Sequence, residues 1–227
     1  MSAVQAEPRL GLGARDGATA TATPQNPPNT AWGNSGPLCL FAFAATTFMI
    51  SMVNAGAINK ATVPVVIGVG LFFGGATQLI GGLIQMRTGN PLNGALFSSF
   101  GAFWIALAAI LQWFSKEIPA AQSGHAVGLL LYTFAILAAI FLLCSLRTTI
   151  ASVIALTTLT VTLVLLAAGN YGASTNLLHA GGYLGIALAA MAAYMGAAEI
   201  CEYSYNHPVL PLGHLGPDTS AGPTEDI

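Results

Sequence analysis

The residues of this sequence that could interact with a solute are uncharged polar side chains within long apolar segments. They are Thr46, Thr47, Ser51, Asn54, Gln78, Asn93, Ser98, Ser99, Thr157, Thr158, Thr160 and Thr162. An unpaired polar group in hydrocarbon is costly, so such a side chain tends to face a neighbour or a wet path. A hydroxyl can instead bond to a carbonyl of its own helix, which is the alternative for each Ser and Thr. From this set we predict a solute pathway that contains Thr46, Thr47, Asn54, Gln78, Ser98 and Ser99.

The apolar segments contain no Lys or Arg near their middles. An anion such as a carboxylate would therefore be held by hydroxyls, amides and the positive ends of helices that begin near Asn90 and Asn170, or it would be neutralised by a proton. Glu199, about one turn from the end of the last segment, could exchange that proton. The alternative is an interfacial carboxylate that extends to water.

Motifs for other chemistry are absent from the sequence. No Ser-His-Asp, HExxH, Walker or paired-carboxylate arrangement occurs in a suitable context, so we predict no enzyme and no catalytic residue. The three cysteines and four histidines are scattered, without the spacing of a metal site. A net charge of -2 provides no basic patch for nucleic acid. No metal or cofactor is predicted.

The elements that must position these residues are set by the composition. The 227 residues are 55% hydrophobic and 6% charged, whereas soluble domains have about 25% charged residues. Six apolar segments are each long enough to cross a bilayer, which takes about 20 residues: 37–59, 63–86, 91–114, 125–146, 148–168 and 177–200. The sequence predicts an all-α membrane protein with a six-helix transmembrane domain over 37–202. Residues 1–36 are expected to form a disordered N-terminal tail, and residues 203–227 a polar C-terminal tail in water.

The few charges lie between the segments and indicate an orientation. With both termini in the cytoplasm, the inside carries four basic residues and the outside two, as the positive-inside rule favours. The inside set is Arg9, Arg15, Arg87 and Arg147, and the outside set is Lys60 and Lys116. We therefore expect a multi-pass cell-membrane protein with cytoplasmic N and C termini.

An internal repeat divides the chain into two halves. Gly89-Asn90 precedes the third segment and Gly169-Asn170 precedes the sixth, an offset of 80 residues. Similar runs follow each step, from Gly101 to Ala109 and from Gly181 to Ala190. Three helices per half require the second half to be inverted in the membrane, as in many transporters and channels. The alternative is that Ala- and Leu-rich helices resemble one another by composition alone.

Two pairs of glycines have the spacing of helix contacts in lipid. Gly70 and Gly74, and Gly181 and Gly185, each form a small-xxx-small step that lets helix backbones approach closely. We expect these four glycines to lie at helix–helix contacts.

Several separated motifs resemble the acetate/succinate transporter (AceTr, YaaH-type) family of six-helix membrane proteins. The likeness covers about residues 34–213, and it is densest in Phe72-Phe-Gly-Gly-Ala-Thr-Gln78, Ser98-Ser-Phe-Gly-Ala-Phe-Trp104 and Val209-Leu-Pro-Leu-Gly213. The family's Asn-Pro-Ala-Pro-Leu-Gly-Leu motif reads Asn34-Ser-Gly-Pro37-Leu38-Cys39-Leu40 here, without the first Pro and the Gly. This departure bears on substrate range and uptake.

The resemblance implies a function and a set of site residues. It implies transport of acetate, related monocarboxylates and succinate, by proton symport or anion-channel conduction, in a hexamer with one path per protomer. It also implies an apolar constriction at Phe43, Phe100 and Leu159, with Phe100 in place of the family's usual Tyr, and a size-selecting position at Ala192. The alternatives are a channel for another small solute, such as a neutral amide, and a membrane sensor that transports nothing.

Overall fold

The computed structural model describes residues 32–215, and every regular element between these residues is helical. Six helices are long and apolar enough to cross a membrane: α1 Gly36–Asn54, α2 Lys60–Arg87, α3 Pro91–Phe114, α4 Ala120–Cys144, α5 Ile150–Tyr171 and α6 Thr175–Tyr205. The predicted all-α, six-helix fold is confirmed. Most of the predicted N-terminal tail, and residues 216–227 of the C-terminal tail, lie outside the described residues.

At the starts of α2, α3 and α5, a side chain satisfies a free backbone N–H group. The side-chain oxygen of Asn90 accepts a hydrogen bond from the N–H of Asn93 over 3.2 Å at the start of α3, where Pro91 occupies the first position. Thr149 caps α5 in the same way through the N–H of Ser152, over 3.0 Å. Such caps are preferred because the first four N–H groups of a helix have no partner within it.

Helix α2 changes its winding along its length. It begins with a 3₁₀ turn over Lys60–Thr62, continues as an α-helix over Val63–Val69, widens to a π-helix over Gly70–Thr77 and ends as an α-helix over Gln78–Arg87. The hydroxyl of Thr77 donates to the carbonyl of Phe72, five residues earlier, over 3.1 Å. Short π-helical stretches are rare and are frequent at functional sites.

The six helices form a closed ring in chain order. Helix α1 packs against α2 on one side and most extensively against α6 on the other, α2 packs against α3, and α5 packs against both α4 and α6. Helices α3 and α4 touch over a short stretch that completes the ring. This order agrees with two three-helix halves, α1 to α3 and α4 to α6.

The four predicted contact glycines lie between helices. A Cβ added to Gly74 would lie 2.5 Å from the hydroxyl oxygen of Thr46 on α1, and one added to Gly181 would lie 2.7 Å from Leu166 on α5. A Cβ added to Gly185 would lie even closer to the hydroxyl of Ser51 on α1. A Cβ added to Gly70 would be at an ordinary contact distance of 3.6 Å from Thr46 and Trp104. Close approach of α1 to both α2 and α6 therefore depends on glycine, and the predicted role of these residues is confirmed.

The C-terminal segment differs from the expected polar tail. Helix α6 continues through Tyr205, three residues beyond the expected boundary at 202, and it ends at Asn206 with a φ of 58°. Residues 207–215, which we call the C-terminal strap, fold back against the start of α5. The carbonyls of Gly213 and Leu212 accept hydrogen bonds from the N–H groups of Ile150 and Ala151, over 2.7 and 3.1 Å. The strap therefore satisfies two helix N–H groups that lack partners within α5.

Candidate functional site

A cavity of about 230 Å³ lies inside the helix ring. All six helices contribute to its wall. On α1 its lining residues run from Phe43 to Asn54, and on α5 they run from Leu159 to Asn170. The cavity therefore extends from the middle of the bundle to the end at which α1 stops and α2 begins, which we call the Lys60 end.

The inner end of the cavity is closed by apolar side chains from three helices. Phe43 of α1, Phe100 of α3 and Leu159 of α5 all line it and are all buried, Phe100 with 1% exposure. The rings of Phe43 and Phe100 meet edge to face, with centroids 6.2 Å apart and planes at 84°. Phe134 of α4 supports Phe100 from behind, at a centroid distance of 5.8 Å. The structure thus brings together the three residues of the expected constriction, which we call the apolar neck.

Three hydrogen-bonding side chains surround the cavity one helical turn beyond the apolar neck. Thr47, Trp104 and Thr162 follow Phe43, Phe100 and Leu159 by four, four and three residues, the spacing that places side chains on one helix face. Their exposures are 6%, 5% and 4%, and neither hydroxyl nor the indole N–H bonds to any residue between 32 and 215. We call this set the donor ring. Buried polar groups are rarely left without partners in proteins, so these groups are available to a solute.

The Lys60 end of the cavity is more polar. Asn54, Lys60 and Asn170 line it, and Asn170 donates from its side-chain amide to the carbonyl of Leu166 over 2.8 Å. Lys60 is exposed, and it is the one ionisable side chain among the cavity's lining residues in the described chain.

Other predicted pathway residues lie outside the cavity wall. Thr46 faces Gly74 and donates its hydroxyl proton to the carbonyl of Ala42 over 2.9 Å, so it belongs to the contact between α1 and α2. Ser98 faces Gly82 of α2, and Ser99, Asn90 and Ala192 do not line the cavity either. Ala192 is instead part of the apolar core.

Gln78 is fully buried, and neither atom of its amide group has a hydrogen-bond partner among the described residues. Two contacts of α2 with α1 show the level of Gln78 along the bundle axis: Gly74 meets Thr46, and Gly81 meets Cys39. Gln78 lies midway between these glycines and is therefore level with Phe43. An unpartnered carboxamide therefore lies at the level of the apolar neck, although it does not line the cavity itself.

The two Gly-Asn steps of the repeat differ in structure. Asn90 precedes and caps α3, as expected. Asn170 lies within the last turn of α5, and α6 begins at Thr175. The expectation that a helix begins near Asn170 is therefore wrong by five residues, because the helix of the fifth segment extends through the Gly-Asn step.

A polar network closes the opposite end of the bundle. The side chain of Asn34 donates to the carboxylate of Glu199 over 3.0 Å, and its oxygen accepts from the N–H of Gly36 over 2.8 Å. The buried amide of Gln85 bonds to the same oxygen at 2.6 Å, and the hydroxyl of Ser35 donates to the carbonyl of Gly81 over 2.7 Å. We call these side chains the Asn34 network. It joins the start of α1 to α2 and α6.

Sequence reasoning missed part of this site. Thr162 and Ser51 belonged to the initial polar set but were not selected for the pathway, and Trp104 and Lys60 were not considered as site residues. The available signal for Thr162 and Trp104 was their spacing of three and four residues from the expected constriction. Metal ligands form no cluster among residues 32–215, where no three His, Cys, Asp or Glu side chains come together.

Comparisons with known proteins identify the relatives of this chain. A sequence profile described as the GPR1/FUN34/yaaH family matches residues 17–215. The succinate-acetate/proton symporter SatP of Escherichia coli is 29% identical over 185 residues, which cover 82% of this chain and 97% of SatP. Acetate permease A of Emericella nidulans is 32% identical over 199 residues, covering 81% of this chain and 67% of the permease. A solved structure of the bacterial acetate channel SatP superimposes with a TM-score of 0.75 at 27% identity, covering 80% of this chain and 99% of that one.

Proposed function

This chain belongs to the GPR1/FUN34/yaaH family, and from that premise we propose that it carries acetate, related small monocarboxylates and succinate across the membrane. It is a multi-pass membrane protein with six apolar helices, and its similarity to transporters and a channel gives no support to an enzyme. The observation that carries the proposal is the cavity of about 230 Å³ with the donor ring beside the apolar neck.

The donor ring suits a carboxylate. The hydroxyls of Thr47 and Thr162 and the indole N–H of Trp104 can donate to carboxylate oxygens, and such hydrogen bonds to a charged acceptor are stronger than neutral ones. Among the described residues no cation lies within this ring, so a carboxylate is bound weakly enough to leave, as conduction requires.

The apolar neck sets the condition for passage. Phe43, Phe100 and Leu159 offer no hydrogen bond, and removing an ionised carboxylate from water without compensation is very costly. A carboxylate therefore passes either with part of its water, when the neck widens, or as the neutral acid. Gln78, level with Phe43, has an amide without a partner among the described residues that a substrate in the neck could use.

The names of the relatives include both a proton symporter and a channel, and proteoliposomes distinguish these mechanisms. Uptake of radiolabelled acetate would be measured with a pH gradient alone and with a membrane potential alone. Dependence on the proton gradient indicates symport, and uptake driven by the potential without a gradient indicates a channel. Passage of a neutral amide such as acetamide without acetate would favour a channel for another solute. Failure of all solutes to pass would favour a sensor.

The proposal includes an assembly and an orientation. Large apolar side chains are exposed along the helices, for example Phe72 at 69%, Leu129 at 67% and Leu143 at 68%, and they need lipid or a second copy as a cover. The family resemblance supports a homohexamer with one path in each protomer. We place the protein in the cell membrane with both termini in the cytoplasm. This orientation puts the Lys60 end on the outer side of the membrane. Labelling of engineered cysteines near Lys60 and Lys116 from the cytoplasm only would contradict this orientation.

A further inference from the structure

We propose that Lys60 captures anions for the pathway: it draws carboxylates to the Lys60 end of the cavity and favours dianions over monoanions. This inference rests on the proposed carboxylate transport and names a residue that determines its specificity.

The backbone around Lys60 is held in place while its side chain is free. The side-chain oxygen of Asn59 accepts a hydrogen bond from the N–H of Ala61 over 2.8 Å, and the hydroxyl of Thr62 donates to the carbonyl of Asn59 over 2.7 Å. These bonds fix the 3₁₀ turn that Lys60 begins. The ammonium group itself makes no ion pair or hydrogen bond with any residue between 32 and 215. It can therefore bind an incoming anion without first giving up a partner.

The surroundings strengthen the field of this charge. Lys60 is the one ionisable residue that lines the described cavity, and most of the other lining side chains are apolar. A mouth with charge of one sign and low-dielectric walls focuses the electric field and raises the local concentration of oppositely charged ligands. The attraction is proportional to the charge of the ligand. Succinate, which carries two negative charges at neutral pH, therefore gains more from Lys60 than acetate does.

The anion is captured at the Lys60 end and loses its water at the donor ring, which is a separate place in the cavity. The donor ring lies beside the apolar neck. Asn54, at the Lys60 end, follows Thr47 by seven positions on α1, which corresponds to about 10 Å of helix. A carboxylate held by Lys60 can keep much of its water, whereas at the donor ring it exchanges water for hydroxyl and indole donors. Lys60 thus acts on entry and on charge selection, and the neck acts on size.

Lys116 provides a matched control. It is an exposed lysine in the connection between α3 and α4, and it does not line the cavity. If surface charge alone attracted anions, Lys60→Gln and Lys116→Gln would lower uptake to a similar extent. The same would hold if the two lysines only bound lipid phosphate.

The test is the initial rate of acetate and succinate uptake into proteoliposomes by the parent and by Lys60→Gln, Lys60→Arg and Lys116→Gln, at low and high ionic strength. At low ionic strength we expect Lys60→Gln to lower succinate uptake on the order of tenfold, within the range of electrostatic steering, and acetate uptake by a smaller factor. Lys116→Gln should keep parental rates, and Lys60→Arg, which keeps the positive charge, should recover most of the succinate preference that Lys60→Gln loses. High salt should remove most of the difference, because exposed charges are screened.

The outcomes separate this inference from the proposed function. If the parent transports acetate but Lys60→Gln keeps the parental ratio of succinate to acetate, the assignment of Lys60 is wrong and the proposed function stands. An equal loss in Lys116→Gln would also overturn the assignment, in favour of general surface charge. A parent that takes up neither carboxylate overturns the proposed function itself.

Discussion

The side-chain amide of Asn34 donates a hydrogen bond to the carboxylate of Glu199 across 165 positions of sequence, over 3.0 Å. This contact brings the altered motif at the start of α1 against the last helix of the ring. The oxygen of the same side chain also bonds to Gln85 of α2 and to the N–H of Gly36. One carboxamide therefore joins three helices at the end of the bundle opposite the cavity.

Loss of this carboxamide should destabilise the fold. Asn34→Ala leaves the buried Gln85 amide without this partner, which costs about 1–3 kcal/mol. It also removes an exposed hydrogen bond to Glu199, which water can replace. We expect a lower melting temperature in detergent. Asn176→Ala is the control, because Asn176 of α6 is exposed like Asn34 but its side chain makes no hydrogen bond with any residue between 32 and 215. Glu199→Gln should remain near the parent, since its amide oxygen can still accept from Asn34. Equal melting temperatures for Asn34→Ala and Asn176→Ala would contradict this role.

The contact of α1 with α2 should tolerate no added methyl group. Gly74→Ala would place a Cβ 2.5 Å from the hydroxyl oxygen of Thr46, and overpacking of this kind costs about 1–3 kcal/mol. Gly68→Ala is the matched control in the same helix, because nothing lies within 4 Å of a Cβ at that position. Thermal unfolding in detergent should show a loss for Gly74→Ala alone. Similar melting curves for the two variants would mean that α1 and α2 are less closely packed than the structure shows.

Trimming of the apolar neck should raise flux and relax size selection. Leu159→Ala and Phe100→Ala remove side chains at the inner end of the cavity and should increase the uptake of lactate and succinate relative to acetate. Phe100→Tyr should add a hydrogen-bonding group with little change in width. Leu143→Ala, at a side chain that is 68% exposed, is the control. Uptake must be compared at equal amounts of folded protein, because Phe→Ala in a core costs about 3–5 kcal/mol. Parental ratios in both neck variants would place the constriction elsewhere.

Gln78 should be dispensable for folding and needed for transport. Its amide is buried without a partner among the described residues, so Gln78→Leu removes an unsatisfied polar group and should leave the melting temperature unchanged or higher. If this amide contacts the substrate, acetate uptake should fall several-fold in the same variant. Gln78→Asn keeps the amide one methylene shorter and should retain more activity than the leucine variant. Parental uptake by Gln78→Leu would show that the amide takes no part in transport.

The six helices were predictable from sequence because hydropathy and length alone decide which segments suit a bilayer. The sequence did not show which polar side chains pack between helices and which line the cavity. Thr46 and Thr47 are adjacent in sequence, yet Thr46 packs on Gly74 and Thr47 lines the cavity. Successive residues of a helix point about 100° apart, and composition does not show which of the two directions faces the ring's interior.

The sequence also did not show at which level along the bundle axis each side chain lies. The donor ring exists because α1, α3 and α5 are aligned so that one turn beyond each neck residue reaches the same level, and this alignment is set by packing between helices. Trp104 looks like an ordinary core aromatic in the sequence, and Lys60 looks like a loop charge. Their places beside the cavity follow from tertiary structure alone.

The C-terminal strap makes one part of α5 depend on residues that are synthesised much later. The first N–H groups of α5 bond to the carbonyls of Leu212 and Gly213, which the ribosome adds about 60 residues after α5 begins. During insertion these N–H groups must rely on water or lipid headgroups until α6 has been made and the strap can fold back. The hydroxyl of Tyr194 then bonds to the carbonyl of Pro211 over 2.9 Å. The hydrogen bonding of the first turn of α5 is therefore completed late, only after α6 and the strap have been synthesised.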